Sequence, residues 1–410
     1  MTSAATRLLD AASAIADALS DPDRVRWPDT NRASPASLAG GAVGVALLHV
    51  HRARTGHGDE NTAHRWLAAA TRDPISAGPN ANLFNGAPAI CFVLRAAADG
   101  TSAYSRPLQA VEDHTLSIAA SRLDAAWARI ESGAALTMRE FDLVHGITGL
   151  TAHLLGTQPE HPVTKRALSY LVNLTERPQR SRPPWWLASG LNGEPHPDYP
   201  DGHGNLGVAH GISAVIAVLA LAVRDGYAMA ETTEALQRLC AWTDQWRQHD
   251  DAGTWWPGYL TPQQHDCGTR RHALRKPRPS WCYGVAGTAR AQQLAGIALR
   301  DDTRQAHAKR SILDAINDPY LHGKLPEVGL CHGKAGLLTA AHRMAQDSGC
   351  PDVRAAAKKL AAHLAAQLVE EPITDPDLMD GAAGAALALH SAATPDTTTG
   401  PRWDRFLLLA

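Results

Sequence analysis

Cysteine is scarce in this chain, with six in 410 residues. That excludes the disulfide-stapled scaffolds of small secreted domains and, without a secretion signal, makes free thiols in a cytoplasm the expectation. Long apolar runs are missing too. The longest, residues 212–223, is interrupted only by Ser213 and falls well short of the roughly 20 residues that span a bilayer, so no transmembrane segment is expected. A surplus of charge of either sign is also absent. A net charge of -2, a pI near 6.9 and no long run of like charge leave no electrostatic footprint for a nucleic-acid backbone.

What is present is the composition of an ordinary globular protein, 44% hydrophobic and 20% charged, enough for a large core. Near the N-terminus Leu8, Ala12, Ile15 and Leu19 recur at helical spacing, and Asp10 and Asp17 interrupt any signal-peptide core. This segment therefore reads as a helix of the mature fold.

An internal repeat organises the rest. A small-x-x-small frame followed by an apolar, alanine-rich run occurs seven times, led by Gly41, Gly86, Gly146, Gly211, Gly284, Gly333 and Gly381. The intervals are 45, 60, 65, 73, 49 and 48 residues, each long enough for two helices and their loops. Segments between the frames, such as NTAHRWLAAATR, TTEALQRLCAWTDQW and VRAAAKKLAAHLAAQLVEE, read as amphipathic helices, whereas the runs after the glycines are apolar nearly all round. The expected fold is therefore all-α, an α/α toroid of seven inner helices backed by seven outer ones, forming a single domain over residues 1–410. Pro88 with Ala89, and Ala214, depart from the strict frame but stay small. LHGK, residues 321–324, has Pro326 in place of the second small residue and is excluded.

In such a ring the residues just before each leading glycine lie at one rim. Two positions before it stand Cys282 and Cys331 in adjacent blocks, and one position before it come His145, His210, Tyr283 and His332. Asp142 stands four before its glycine and Arg278 six before its own. Cys282, Cys331 and His332 make a candidate Cys-Cys-His metal set, for which zinc is the suited ion. Three protein ligands leave a fourth tetrahedral position open. Such an ion can ionise a substrate thiol or activate water, and the residues alone leave both uses open. The alternative is that both cysteines pack as small hydrophobes.

The SWCYGVAG and GLCHGKAG frames, the upstream HG block and the seven repeats resemble the lanthionine synthetase C-like family, the class I lanthipeptide cyclases, over about Gly41 to Gly384. The resemblance implies an α/α toroid around one zinc ion per chain, with Cys282, Cys331 and His332 as ligands. It implies intramolecular Michael addition of precursor cysteine thiols to dehydroalanine or dehydrobutyrine, giving (methyl)lanthionine thioethers. His210 then matches the residue for proton transfer, and Asp142, Tyr283 and Arg278 match active-site positions. The implied partner is a dehydrated precursor peptide, leader plus core, with a separate dehydratase and an exporter around it. The implied location is the cytoplasm, peripheral to a membrane-associated complex. The rival readings are a noncatalytic zinc-containing thiol- or peptide-binding relative, and a thiol prenyltransferase on a helical toroid.

Other candidates read as structural or solvated: His145, His196 and His203 near the rim, and Cys91, Cys240 and Cys350 as core or helix-end residues. His265 and Cys267 suggest a second metal that nothing nearby completes. Two Pro- and Gly-rich loops, residues 181–205 and 253–264, each carry a Trp-Trp pair and read as irregular segments over the rim. Trp185/Trp186 and Trp255/Trp256 either wall a peptide groove or pack the loops down.

Overall fold

Each leading glycine stands immediately before a helix. In the computed structural model, which describes residues 3–28, 33–98, 101–176, 182–190, 194–195, 198–266, 274–394 and 402–410, the helices are Ala42–Arg54, Ala87–Ala98, Ile147–Thr157, Ile212–Arg224, Val285–Leu299, Lys334–Ser348 and Ala382–Ala393. They bury most of their side chains, as their all-round apolar sequences require. Amphipathic helices alternate with them: Ser3–Ala18, Glu60–Ala70, Ser105–Ser132, Pro162–Asn173, Thr232–Gln245, Asp302–Asn317 and Pro351–Glu370. Glu60–Ala70, for example, buries Ala63, Trp66, Leu67 and Ala70 at a helical period, and Asp59 caps it. The LHGK segment forms only a one-turn helix, Leu321–Lys324.

Contacts divide the chain into two compact units. The first comprises residues 1–115, 319–405 and 410, and holds the blocks led by Gly41, Gly86, Gly333 and Gly381. The second comprises residues 116–318 and 406–409, and holds those led by Gly146, Gly211 and Gly284.

Four pairs of successive blocks are joined by the same backbone handshake. The carbonyl two residues before a leading glycine accepts from N–H groups two or three residues before the glycine of the preceding block. In the second unit Val208 and Ala209 N–H donate to the Cys282 carbonyl at 2.9 and 3.2 Å. In the first unit Cys331 N–H donates to Met379, Leu378 and Met379 donate to Ala39, and Leu38 donates to Phe84. The order there is sixth, seventh, first, second, so the last repeat donates to the first. The N-terminal helix follows the same order. Ser3–Ala18 packs on Ala382–Ala393, of the last block, and on Pro351–Glu370, as Asp302–Asn317 packs on Val285–Leu299 of the block before it.

The second small residue of the frame permits this close approach. A Cβ at Gly384 would sit 1.9 Å from the Leu378 carbonyl and 2.8 Å from Leu330 Cγ, and one at Gly287 would sit 2.1 Å from the Trp281 carbonyl and 2.7 Å from Val208 Cγ2. Gly86 has φ +77, a left-handed conformation that glycine adopts without penalty.

The two Pro- and Gly-rich loops are more ordered than their sequence suggests. Gly204–Asn205 pairs antiparallel with Tyr259–Leu260, and Gln248–Asp250 pairs with Gly253–Trp255. Trp185 is 4% exposed, edge-on to Trp242 at 5.5 Å, and Trp256 is 3% exposed. These two pack the loops down. Trp186 and Trp255 are half-buried, beneath Arg182 and Lys276 respectively. No helix among the described residues is long and apolar enough to cross a membrane.

Two buried histidines make the first unit sensitive to acid, and Asp377, whose pKa burial raises to about 6, offsets part of their effect. Burial lowers the pKa of His49 to about 4, with Arg52 and Arg65 also lowering it and the Leu19 carbonyl, which accepts from Nε2 at 2.9 Å, and Asp17 raising it. Burial lowers His390 to about 3, reinforced by His51, Arg52 and His57, while Nε2 meets Thr55 Oγ1 at 2.8 Å. Both values lie below the unfolded value of about 6.5. The unfolded chain therefore binds more protons, and stability falls as pH drops from about 6.5 towards 4. Each group costs about 3 kcal/mol at pH 4. The expected result is a denaturation midpoint that declines steeply between pH 6.5 and 4.5, with a shallower slope for His390→Gln. A flat profile in the parent would refute it.

Candidate active site

Four residues before the leading glycine, the chain repeatedly places a side chain that ties down the turn. Ser37 Oγ accepts from Gly40 N–H at 3.2 Å, Asn82 Oδ1 from Phe84 at 2.9 Å, and Asp377 Oδ1 from Asp380 and Gly381 at 2.6 and 2.7 Å. Asp142 occupies the same place, its Oδ1 accepting from His145 N–H at 2.6 Å. One oxygen of Asp142 thus does the work of a turn cap.

The other oxygen reaches the next block. Asp142 Oδ2 lies 2.5 Å from His210 Nδ1, with the carboxylate side chain fully buried and the imidazole 13% exposed. The contact orients the ring, makes Nδ1 the donor and leaves Nε2 available for exchange. His145 stacks on His210 at a centroid distance of 5.8 Å, and burial holds its pKa below the ordinary imidazole range. Arg122, from Ser105–Ser132, donates to the His145 carbonyl, and Asp142 acts on its charge.

Tyr283 continues the row, its ring 6.2 Å from that of His210. Burial first, and then Tyr259, raises its pKa well above the ordinary phenol value, so it remains a protonated donor. Burial likewise pushes Tyr259 up to about 12. Residues one before the leading glycine therefore touch in block order: His145, His210, Tyr283. Cys282, next to Tyr283, is half-buried and outside any disulfide, its Sγ 3.4 Å from Ser280 Oγ. Arg278 precedes this turn with an exposed side chain, and its carbonyl accepts from Ser280 N–H at 2.8 Å.

In the first unit Cys331 is half-buried and outside any disulfide, and His332 beside it is likewise half-buried. His332 Nδ1 lies 3.3 Å from Asp380 Oδ1. Asp380 also stands one before its glycine, so the block-order rule holds here as well. Sequence reasoning passed over both Asp380 and Arg122. Asp380 could have been found by extending the alignment of that position to the seventh block. Arg122 lies on a long helix outside every frame and carries no such signal.

The remaining candidates are structural. His203 is buried between Tyr199 and Tyr259. His265 packs against Trp186 and Trp246. Cys91 and Cys240 are buried, which raises each pKa to about 12, and Cys350 caps Pro351–Glu370. His196 and Cys267 lie outside the described residues.

Comparison with known proteins places these observations. Nisin biosynthesis protein NisC of Lactococcus lactis subsp. lactis is 24% identical over 214 residues, 50% of this chain and 49% of that one, so the match spans about half the length of the curated relative. A solved nisin cyclase superposes with a TM-score of 0.79 at 18% identity, covering 97% of this chain and 96% of the other, and the fold is accordingly the α/α toroid expected from the repeats. The family model described as lanthionine synthetase C-like protein matches residues 33–408, and the chain belongs to that family.

Proposed function

We propose that this protein is a zinc-dependent lanthipeptide cyclase, forming (methyl)lanthionine rings by adding precursor-peptide cysteine thiols to dehydroalanine or dehydrobutyrine. The observation that carries this reading is the Asp142–His210 pair at 2.5 Å, in the same unit as Cys282. Family membership and the names of the two relatives, one for nisin biosynthesis and one a nisin cyclase, support it.

The donors suit the ion. Cys282, Cys331 and His332 offer two thiols and an imidazole, a set that could hold a metal ion. Soft thiolates with imidazole favour zinc and leave one tetrahedral position for substrate. Asp380 beside His332 Nδ1 is the kind of partner that orients a ligating imidazole and leaves Nε2 to bind. Bound there, zinc would lower the pKa of an incoming thiol so that it ionises near neutral pH.

The chain's own residues manage the proton. Addition forms one C–S bond at the β-carbon and turns the double bond into an enolate, and the proton lost from sulfur must reach the α-carbon. With Nδ1 committed to Asp142, His210 Nε2 is the atom that takes and returns it. Asp142 stabilises the imidazolium in between. The protonated Tyr283 hydroxyl and the Arg278 guanidinium stabilise the enolate oxygen. Because the addition needs an unsaturated residue, dehydration belongs to a partner enzyme. The proposed setting is the cytoplasm, with the exporter as a further partner and residues 1–410 working as one domain.

The test is to incubate zinc-loaded protein with a peptide carrying one dehydroalanine and one cysteine. Free thiol should disappear with no change in peptide mass, well above the uncatalysed rate. Thiol loss no faster than without protein would overturn the reading.

A further inference from the structure

The row of rings does not stop at Tyr283. Tyr259 stacks on Tyr283 with centroids 4.9 Å apart, and Tyr199 stacks on Tyr259 at 5.2 Å. Together with His210 and His145 this makes five successive aromatic rings in the second unit, each mostly buried with part of its surface open. The path along their centroids is about 22 Å, which an extended peptide covers in about six or seven residues.

The row is held by backbone. Tyr259 is in register with Asn205 in the short antiparallel pair, and Leu206 N–H donates to the Gly258 carbonyl at 3.0 Å. Gly207 and Gly258 lie against the Tyr283 ring, where added Cβ atoms would sit 2.6 and 3.4 Å from its Cδ1. Because the tyrosines stack face to face, the surface left open along the row is ring edges, the Tyr283 hydroxyl itself being buried. An aromatic edge is the positive end of the ring quadrupole and favours the face of another π system or a carbonyl oxygen.

We infer that the edges of Tyr199, Tyr259 and Tyr283 form a track for an extended peptide bearing planar α,β-unsaturated residues, leading it to His210. The inference rests on the cyclase reading for its occupant, and the track's continuity with the proposed proton-transfer residues is what selects that occupant. A dehydroalanine residue is flat, conjugated and uncharged, and it presents to a ring edge the π face that alanine lacks. Trp185 and Trp256, packed inward, take no part.

The probe is a fluorophore-labelled synthetic heptapeptide with two dehydroalanines and no cysteine, compared by anisotropy with the same peptide carrying alanines. The parent should bind the unsaturated peptide about five- to tenfold tighter than the saturated one. Tyr199→Ala and Tyr259→Ala should each remove most of that preference, Tyr259→Phe should keep it, and all should retain the parent's zinc content and a cooperative thermal transition, with the alanine variants melting somewhat lower. Equal binding of both peptides by the parent, no binding at all, or an undiminished preference in both alanine variants overturns the track while leaving the thiol-loss assay to stand on its own. A preference that depends on the tyrosines in a protein that consumes no thiol would uphold the track and overturn the cyclase reading.

Discussion

Purified Cys282→Ala and Cys331→Ala proteins should each bind zinc at least about a hundredfold more weakly than the parent and form no thioether above background. Each removes one of three proposed protein ligands. Neither should unfold the chain, because the block-to-block handshake uses the Cys282 carbonyl and the Cys331 N–H, and alanine keeps both. Asp380→Ala should give an intermediate result, with zinc affinity lowered about ten- to a hundredfold, since it removes the partner of His332 and no ligand. Elemental analysis of dialysed samples, with chelator competition and thermal melts alongside, makes the comparison. One equivalent of zinc in the parent and little in the two cysteine variants is expected. Full retention by both would remove the metal from the mechanism.

The second large effect belongs to the proton. His210→Asn should slow thioether formation by about 10²–10⁴-fold with zinc content unchanged. Asp142→Asn is the sharper experiment, because position 142 does two things. Asn82 does the turn-holding task in the second block with its amide oxygen, so asparagine at 142 keeps the cap to His145. What it loses is the charge beside His210 Nδ1. The expected outcome is a folded, zinc-replete protein slowed about a hundredfold or more, with the loss in kcat. If Asp142→Asn matches the parent in rate, the carboxylate is only a turn cap and the proton passes by another route.

The repeating helices were legible in the sequence because glycine marks the entry to each and the apolar run that follows has no polar face. Cys282, Cys331 and His210 stood out because they share a register with those glycines. Asp142 was half legible: its offset signalled a role, but that its two oxygens do separate jobs appears only once Ser37, Asn82 and Asp377 are seen holding equivalent turns. The loops were misjudged in detail. Bulk drew attention to the tryptophans, yet Trp185 and Trp256 have enough apolar area to be worth burying, and it is Tyr199, Tyr259 and Tyr283 that keep part of their rings open. The partnership of Ser3–Ala18 with Ala382–Ala393 was invisible, since no local pattern encodes a contact between segments so far apart.

That distant partnership governs how the protein is made. The second unit draws nearly all its residues from one continuous stretch, 116–318, whereas the first joins residues before 116 to residues after 318. At about 5–20 residues per second, a ribosome needs about a quarter of a minute to a minute between releasing the second apolar helix and supplying Ala382–Ala393. During that interval Ser3–Ala18 and the first two blocks have no neighbours to complete their burial, and their apolar faces are open to chaperones and to other nascent chains. Slow translation, or overexpression without chaperone capacity, should therefore trap the N-terminal third first, and limited proteolysis of stalled chains should cut there while sparing residues 116–318.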